Sequence, residues 1–90
     1  MLTKFKQQLK AKAHPLKPIV LIGNNGCSDN VITEIDRGLI DHELIKIRLP
    51  QAEKAEKKAM LDQITAKTKA ELVQLIGRIA VLYRKNTEEK

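Results

Sequence analysis

The chain has 90 residues, 42% hydrophobic and 31% charged, with 17 Lys and Arg against 11 Asp and Glu, a formal net charge of +6. That is one domain's worth of chain, near the lower end of what folds without staples, and its single cysteine excludes an intrachain disulfide and a multi-cysteine metal site. The cation excess favours polyanionic partners such as RNA, DNA or an acidic membrane surface, although a lysine-rich surface kept for solubility has the same composition.

Met1 to Gln8 lacks the apolar run of a signal peptide, and no stretch approaches the roughly 20 apolar residues of a membrane span. A soluble, cytoplasmic protein is expected. Only Phe5 and Tyr83 are aromatic, so the core must be aliphatic. Leu2, Phe5, Leu9 and Ala13 recur at spacings of three and four, one stripe of a helix. His14-Pro15 ends it, because the residue before a proline avoids the α region. Lys6 and Lys10 flank the stripe; Lys4 and Lys12 fall elsewhere around the cylinder.

After the extended link Pro15 to Pro18, the run Ile19 to Ile22 predicts a strand buried on both faces and central in a parallel or mixed sheet. Gly23-Asn24-Asn25-Gly26 is a tight turn, since glycine and asparagine tolerate positive φ best. Ser28, or Asp29 or Asn30, can cap the next helix. That helix buries Val31, Ile32, Ile35 and Leu39, and Gly38 on the same face predicts close approach to the sheet or another helix. Asp29, Glu34, Asp36 and Asp41 make it the most acidic part of the chain, and Arg37 faces solvent.

Leu44 to Leu49 alternates, with Ile45, Ile47 and Leu49 on one face and Leu44, Lys46 and Arg48 on the other, as in a half-buried strand. Pro50 closes it. Gln51 to Lys67 has high helix propensity but a thin stripe of Met60, Leu61 and Ile64, which makes it the least firmly held element. Glu71 to Ile76 and Ile79 to Arg84 flank Gly77-Arg78, which suits a type II′ hairpin with Arg78 exposed at its tip. Asn86 to Lys90 is a polar tail. The order α-β-α-β-α-β-β implies an α/β fold, a small mixed four-stranded sheet packed with helices, with some parallel pairing, in a single domain spanning 1–85.

No catalytic constellation is marked. Cys27 sits beside a helix start, which can lower a thiol pKa, but no base is marked for it and a small core or turn filler is the plainer reading. His14 and His42 lack the spacing of a metal pair; His14 lies beside Lys12 and Lys17, where an anion can be held. Gly23-x-x-Gly26 is too short for a nucleotide-binding glycine loop, and no Gly-Lys-Ser/Thr follows. A Gly-x-x-Gly turn clamps nucleic-acid backbone in the KH module, where it joins two helices; here a strand precedes it, and two glycines can serve the turn's own geometry.

Four segments in order, His14-Pro15-Leu16-Lys17-Pro18, Ile22-Gly23-Asn24-Asn25-Gly26, His42-Glu43-Leu44-Ile45-Lys46, and Ile76-Gly77 with Val81-Leu82-Tyr83-Arg84, resemble the YhbY family, the bacterial stand-alone form of the CRM (chloroplast RNA splicing and ribosome maturation) domain. Cys27 and Ser28 depart from the leucine and threonine common there, and Gly38 from a frequent alanine. The resemblance implies a fold similar to the C-terminal domain of bacterial translation initiation factor three. It also implies a non-catalytic RNA-binding protein associated with precursor large ribosomal subunits, meeting RNA through Gly23, Asn24, Asn25 and Gly26.

Lys6, Lys10, Lys12, His14 and Lys17 are expected to add charge near that loop, provided the first helix packs beside it. Lys46, Arg48, Arg78, Arg84 and Lys85 are secondary candidates, because strand parity does not say which sheet face RNA meets. With so few aromatics, recognition should rest on backbone and shape, with steep salt dependence. No cofactor, metal, membrane or small-molecule substrate is expected, and the chain should be a monomer. The alternative is a protein-interaction module that docks on ribosomal particles through Leu, Ile and Met.

Overall fold

A computed structural model describes residues 3–23 and 26–85. Leu2, from the first helical stripe, and the tail Asn86 to Lys90 lie outside the described residues. Seven elements follow in the expected order: α1 (Thr3–Ala13), β1 (Pro18–Leu21), α2 (Asp29–His42), β2 (Leu44–Arg48), α3 (Lys54–Thr68), β3 (Glu71–Ile76) and β4 (Ile79–Tyr83). The strands form one mixed sheet in the order β1-β2-β4-β3. β1 runs parallel to β2, and β4 is antiparallel to both neighbours.

Helices cover the two faces unequally. α2 and α3 bury one face, placing Ile35, Leu39, Leu61 and Ile64 against Ile45, Ile47 and Leu82. On the other face α1 sets Leu9 and Ala13 on Val73 and Val81, with Leu44 and Tyr83 beside them. Phe5 meets Tyr83 edge-to-face, ring centroids 5.5 Å apart. The alternation read in β2 holds: Ile45 and Ile47 are buried, while Leu44, Lys46 and Arg48 turn to the α1 side.

β1 departs from expectation. It is an edge strand rather than a central one, and Ile19 and Leu21 are 50% and 66% exposed. The physical reason is the strand order: β4 takes the free side of β2 and β3 pairs outside β4, which leaves β1 with one neighbour. A register shift between Pro18 and Val20 then lets Val20 pair with Ile47 on the α2–α3 side and Leu21 with Arg48 on the α1 side. A second shift, between Leu72 and Gln74, breaks the regular alternation of β3.

Gly38 is buried on α2, and a Cβ there would stand 2.8 Å from Cδ1 of Ile19, the close approach that the sequence predicts. α3 begins at Lys54 rather than Gln51; the Glu56 carboxylate accepts from the Glu53 N–H at 3.1 Å and stops the helix there. At its other end the buried Thr68 hydroxyl donates to Ile64 O at 2.8 Å and accepts from Ala70 N–H at 3.3 Å. Gly77 takes φ +59 at the first turn position of the β3–β4 hairpin, and Arg78 beside it is half-buried rather than exposed.

Candidate nucleic-acid interface

The four-residue glycine turn hangs from the end of β1. Gly26 N–H donates to Gly23 O at 3.0 Å, closing the turn, and Gly26 takes φ +75, a conformation that L side chains rarely adopt. Ser28 N–H donates back to Gly26 O at 3.0 Å. These two donors are therefore spent within the loop. What the turn offers is steric: a Cβ added at Gly23 or Gly26 would meet nothing within 4 Å, so the surface is open on the outside. Asn24 and Asn25 lie outside the described residues.

Behind the turn, Ser28 caps α2 as expected, its hydroxyl accepting from Val31 N–H at 3.3 Å. Asp29 stands in the first helical turn and opposes an anion there. Cys27 Sγ donates to Met60 O at 3.8 Å, and burial pushes its thiol up from the ordinary value, with Lys67 drawing it back only in part. Desolvation outweighs the nearby lysine, so the net shift of this thiol is upward.

The cations do not gather at the turn. α1 packs on β2, β3 and β4 and connects to the start of β1, whereas the turn leaves its end. Lys17 and Gly23 thus lie beyond opposite ends of β1, whose four residues alone span roughly 13 Å at 3.3 Å per residue. Lys12 and Lys17 share a cleft with His42, Leu16 and Ile19 at the far end. Lys10 and His14 line a different groove, together with Lys46, Gln74, Ile76 and Ile79. Lys6 is half-buried on α1.

Two secondary candidates also hold the fold together. Arg84 donates from Nη1 to Asp36 Oδ1 at 2.6 Å and to Thr68 O at 2.7 Å, and from Nη2 to Asp36 O at 3.2 Å, tying the end of β4 to α2 and α3. Lys46 Nζ donates to His14 O at 3.3 Å and Leu16 O at 3.1 Å, holding the α1–β1 link against β2. Neither role is signalled in the sequence, since the partners lie at least 16 residues away. Arg48 stays exposed beside Leu21, and Lys85 is exposed beyond β4.

Charge is uneven between the helices, and the lysines of α3 share a face with the carboxylates of α2. α1 carries Lys4, Lys6, Lys10 and Lys12 and no carboxylate, whereas α2 carries Asp29, Glu34, Asp36 and Asp41 against Arg37. Among the described residues no three His, Cys, Asp or Glu side chains converge to hold a metal, and no helix is long and apolar enough to cross a membrane.

Fold and surface together define a small α/β domain with one basic helical layer and a glycine turn at the end of an edge strand. The CRS1 / YhbY (CRM) domain matches residues 1–84, and the chain belongs to that family. It is 46% identical over 88 residues to an RNA-binding protein of Haemophilus influenzae, covering 98% of this chain and 89% of the relative. It is 44% identical over 81 residues to a probable RNA-binding protein of Pseudomonas aeruginosa, covering 90% and 78%. The solution structure of the hypothetical protein SAV1595 from Staphylococcus aureus superimposes with a TM-score of 0.84 at 41% identity, covering 100% of this chain and 95% of that one.

Proposed function

We propose that this protein is a non-catalytic, monomeric, cytoplasmic RNA-binding factor that acts on precursors of the large ribosomal subunit. The observation that carries the reading is the uneven distribution of charge: a lysine-bearing, carboxylate-free α1 lies on the sheet face opposite the acidic α2. A polyanion is attracted to the α1 side of such a molecule, whereas on the opposite side the carboxylates of α2 and the lysines of α3 largely offset each other. Membership of a family whose relatives are named as RNA-binding proteins supports RNA as that polyanion. Lys6, Lys10, Lys12, His14 and Lys17 supply the field, and Gly23 and Gly26, which lack a Cβ, let an RNA backbone approach the Gly23-Asn24-Asn25-Gly26 turn closely.

The test is a titration of structured ribosomal RNA at several salt concentrations, followed by co-sedimentation with large-subunit precursors. Affinity that falls steeply with salt, together with co-migration on precursors and not on mature subunits, is the expected result. Affinity insensitive to salt would sink the electrostatic account, and even spread over mature ribosomes would sink the assembly role. A second reading, docking on the particle by protein contacts, draws on the exposed Leu21 and Ile76. It is favoured if changing Lys6, Lys10 and Lys17 to Gln leaves binding to both naked RNA and particles unchanged.

A further inference from the structure

We propose that an unpaired RNA strand lies across the open half of the sheet on the α1 side, seated in the groove between the C-terminal half of α1 and strands β2, β4 and β3. This rests on the RNA reading and says which surface carries it. The α2–α3 face is closed by the main core, so the sheet can meet a ligand only from the α1 side. There α1 shields one end. Leu44, Tyr83 and Glu71 align across β2, β4 and β3, next to Phe5. At the other end Leu21, Arg48, Ile79 and Ile76 form one cross-strand row over all four strands. Leu21 and Ile76 are 66% and 62% exposed, and Arg48 is exposed as well.

The groove beside this row measures about 630 Å³ and is lined by Lys10, His14, Lys46, Gln74, Ile76 and Ile79, among others, and by no carboxylate. Its charge is therefore complementary to phosphate, while its floor is aliphatic. The bulge in β3 makes this possible. Val73 packs under α1, and the next residue, Gln74, pairs with Val81 on the same side and lines the groove, where strict alternation would have turned it away. An amide carries both donor and acceptor and can meet a base edge. The volume is that of a site for a small ligand, on the order of 300–1,000 Å³, and admits a base with its sugar. Phe5 and Tyr83 lie at the shielded end, so bases would meet aliphatic side chains rather than stack on rings.

The experiment compares a short unpaired oligoribonucleotide of ribosomal sequence with the same strand annealed to its complement. Each is titrated at several salt concentrations against the wild-type protein and the variants Ile76→Gln and Arg48→Gln. Both positions are surface sites, and thermal melting checks that each variant folds. The unpaired strand should bind about tenfold more tightly than the duplex. Arg48→Gln should weaken it roughly threefold to tenfold and reduce the salt slope by about 0.7, the loss of one phosphate contact. Ile76→Gln should weaken it with the slope unchanged, because an apolar contact releases no counterion. Photo-crosslinks should map to the peptides containing Lys10, Arg48 and Ile76. Wild-type protein that binds neither RNA would overturn the RNA reading itself. Binding that survives both substitutions in affinity and slope, equal affinity for duplex, or crosslinks confined to the Gly23–Gly26 turn would leave that reading standing and overturn the sheet-face site.

Discussion

Arg84 shows how a charge that reads as surface decoration can be structural. Its guanidinium reaches a carboxylate and two main-chain carbonyls on two different helices, and its side chain is only 22% exposed. Replacing it with Met should cost about 1–2 kcal/mol in urea unfolding, mostly because the Thr68 carbonyl loses its donor; Asp36 is half solvated, so the ion pair itself adds little. RNA affinity should change no more than loss of one distant charge allows. Cys27 makes the opposite point about apparent reactivity. Burial raises its thiol above the ordinary value of 9.0. At neutral pH less thiolate is present than in a free cysteine, so alkylation by iodoacetamide should be slow. Its rate should climb with pH to a midpoint above that of a free cysteine measured alongside, and a midpoint below that of the free cysteine would contradict the part-buried geometry.

At the scale of elements, Gly38 offers a test of how firmly β1 is held against α2. Alanine there would gain up to about 1 kcal/mol of helix propensity. Its Cβ would meet Cδ1 of Ile19 at 2.8 Å, but that atom ends a flexible, half-exposed side chain on an edge strand and can swing aside. Gly38→Ala should therefore raise the unfolding midpoint slightly, whereas Gly26→Ala, forced to φ +75, should lower stability by about 1 kcal/mol. What could be read beforehand follows the same line between local and distant causes. The alternation in Leu44–Arg48, the Ser28 cap and the Gly77 turn are set by neighbours in sequence, and each stands where its residues predict. The place of β1 is not local. Four apolar residues in a row say that a strand is buried somewhere, but its edge position depends on β4 pairing with the other side of β2, and its bulge turns Val20 rather than Leu21 inward. The bulge at Val73 and Gln74, which shapes the groove, leaves no mark in an apolar run either.

For the whole molecule, a net charge of +6 matters less than where it sits. The lysines of α1 and the carboxylates of α2 lie on opposite faces of the sheet. The candidate lysines were legible as a composition of the first seventeen residues; their distance from the glycine turn was not, because it depends on α1 crossing β2, β3 and β4 rather than lying along β1. Two sets of substitutions with opposite expectations follow. Exchanging Lys6, Lys10 and Lys17 for Gln removes cations from the basic side; if each neutralises one phosphate, the slope of log affinity against log salt should fall by about 2 units, at about 0.7 per contact with a single strand. Exchanging Glu34 and Asp41 for Gln leaves the net charge more positive by the same kind of change, yet both stand on the far layer. Neither carboxylate neutralises a phosphate, so their loss releases no further counterion; the slope should stay where it was and screening should let affinity rise only slightly. A protein that bound RNA through net charge alone would respond to both sets in proportion to the charge altered. Shifts in slope of opposite sign, and in the ratio of about three to two between the triple and the double variant, would therefore show that neither face is privileged. A large drop from the lysine set beside a flat response from the carboxylate set would place the polyanion on the α1 side.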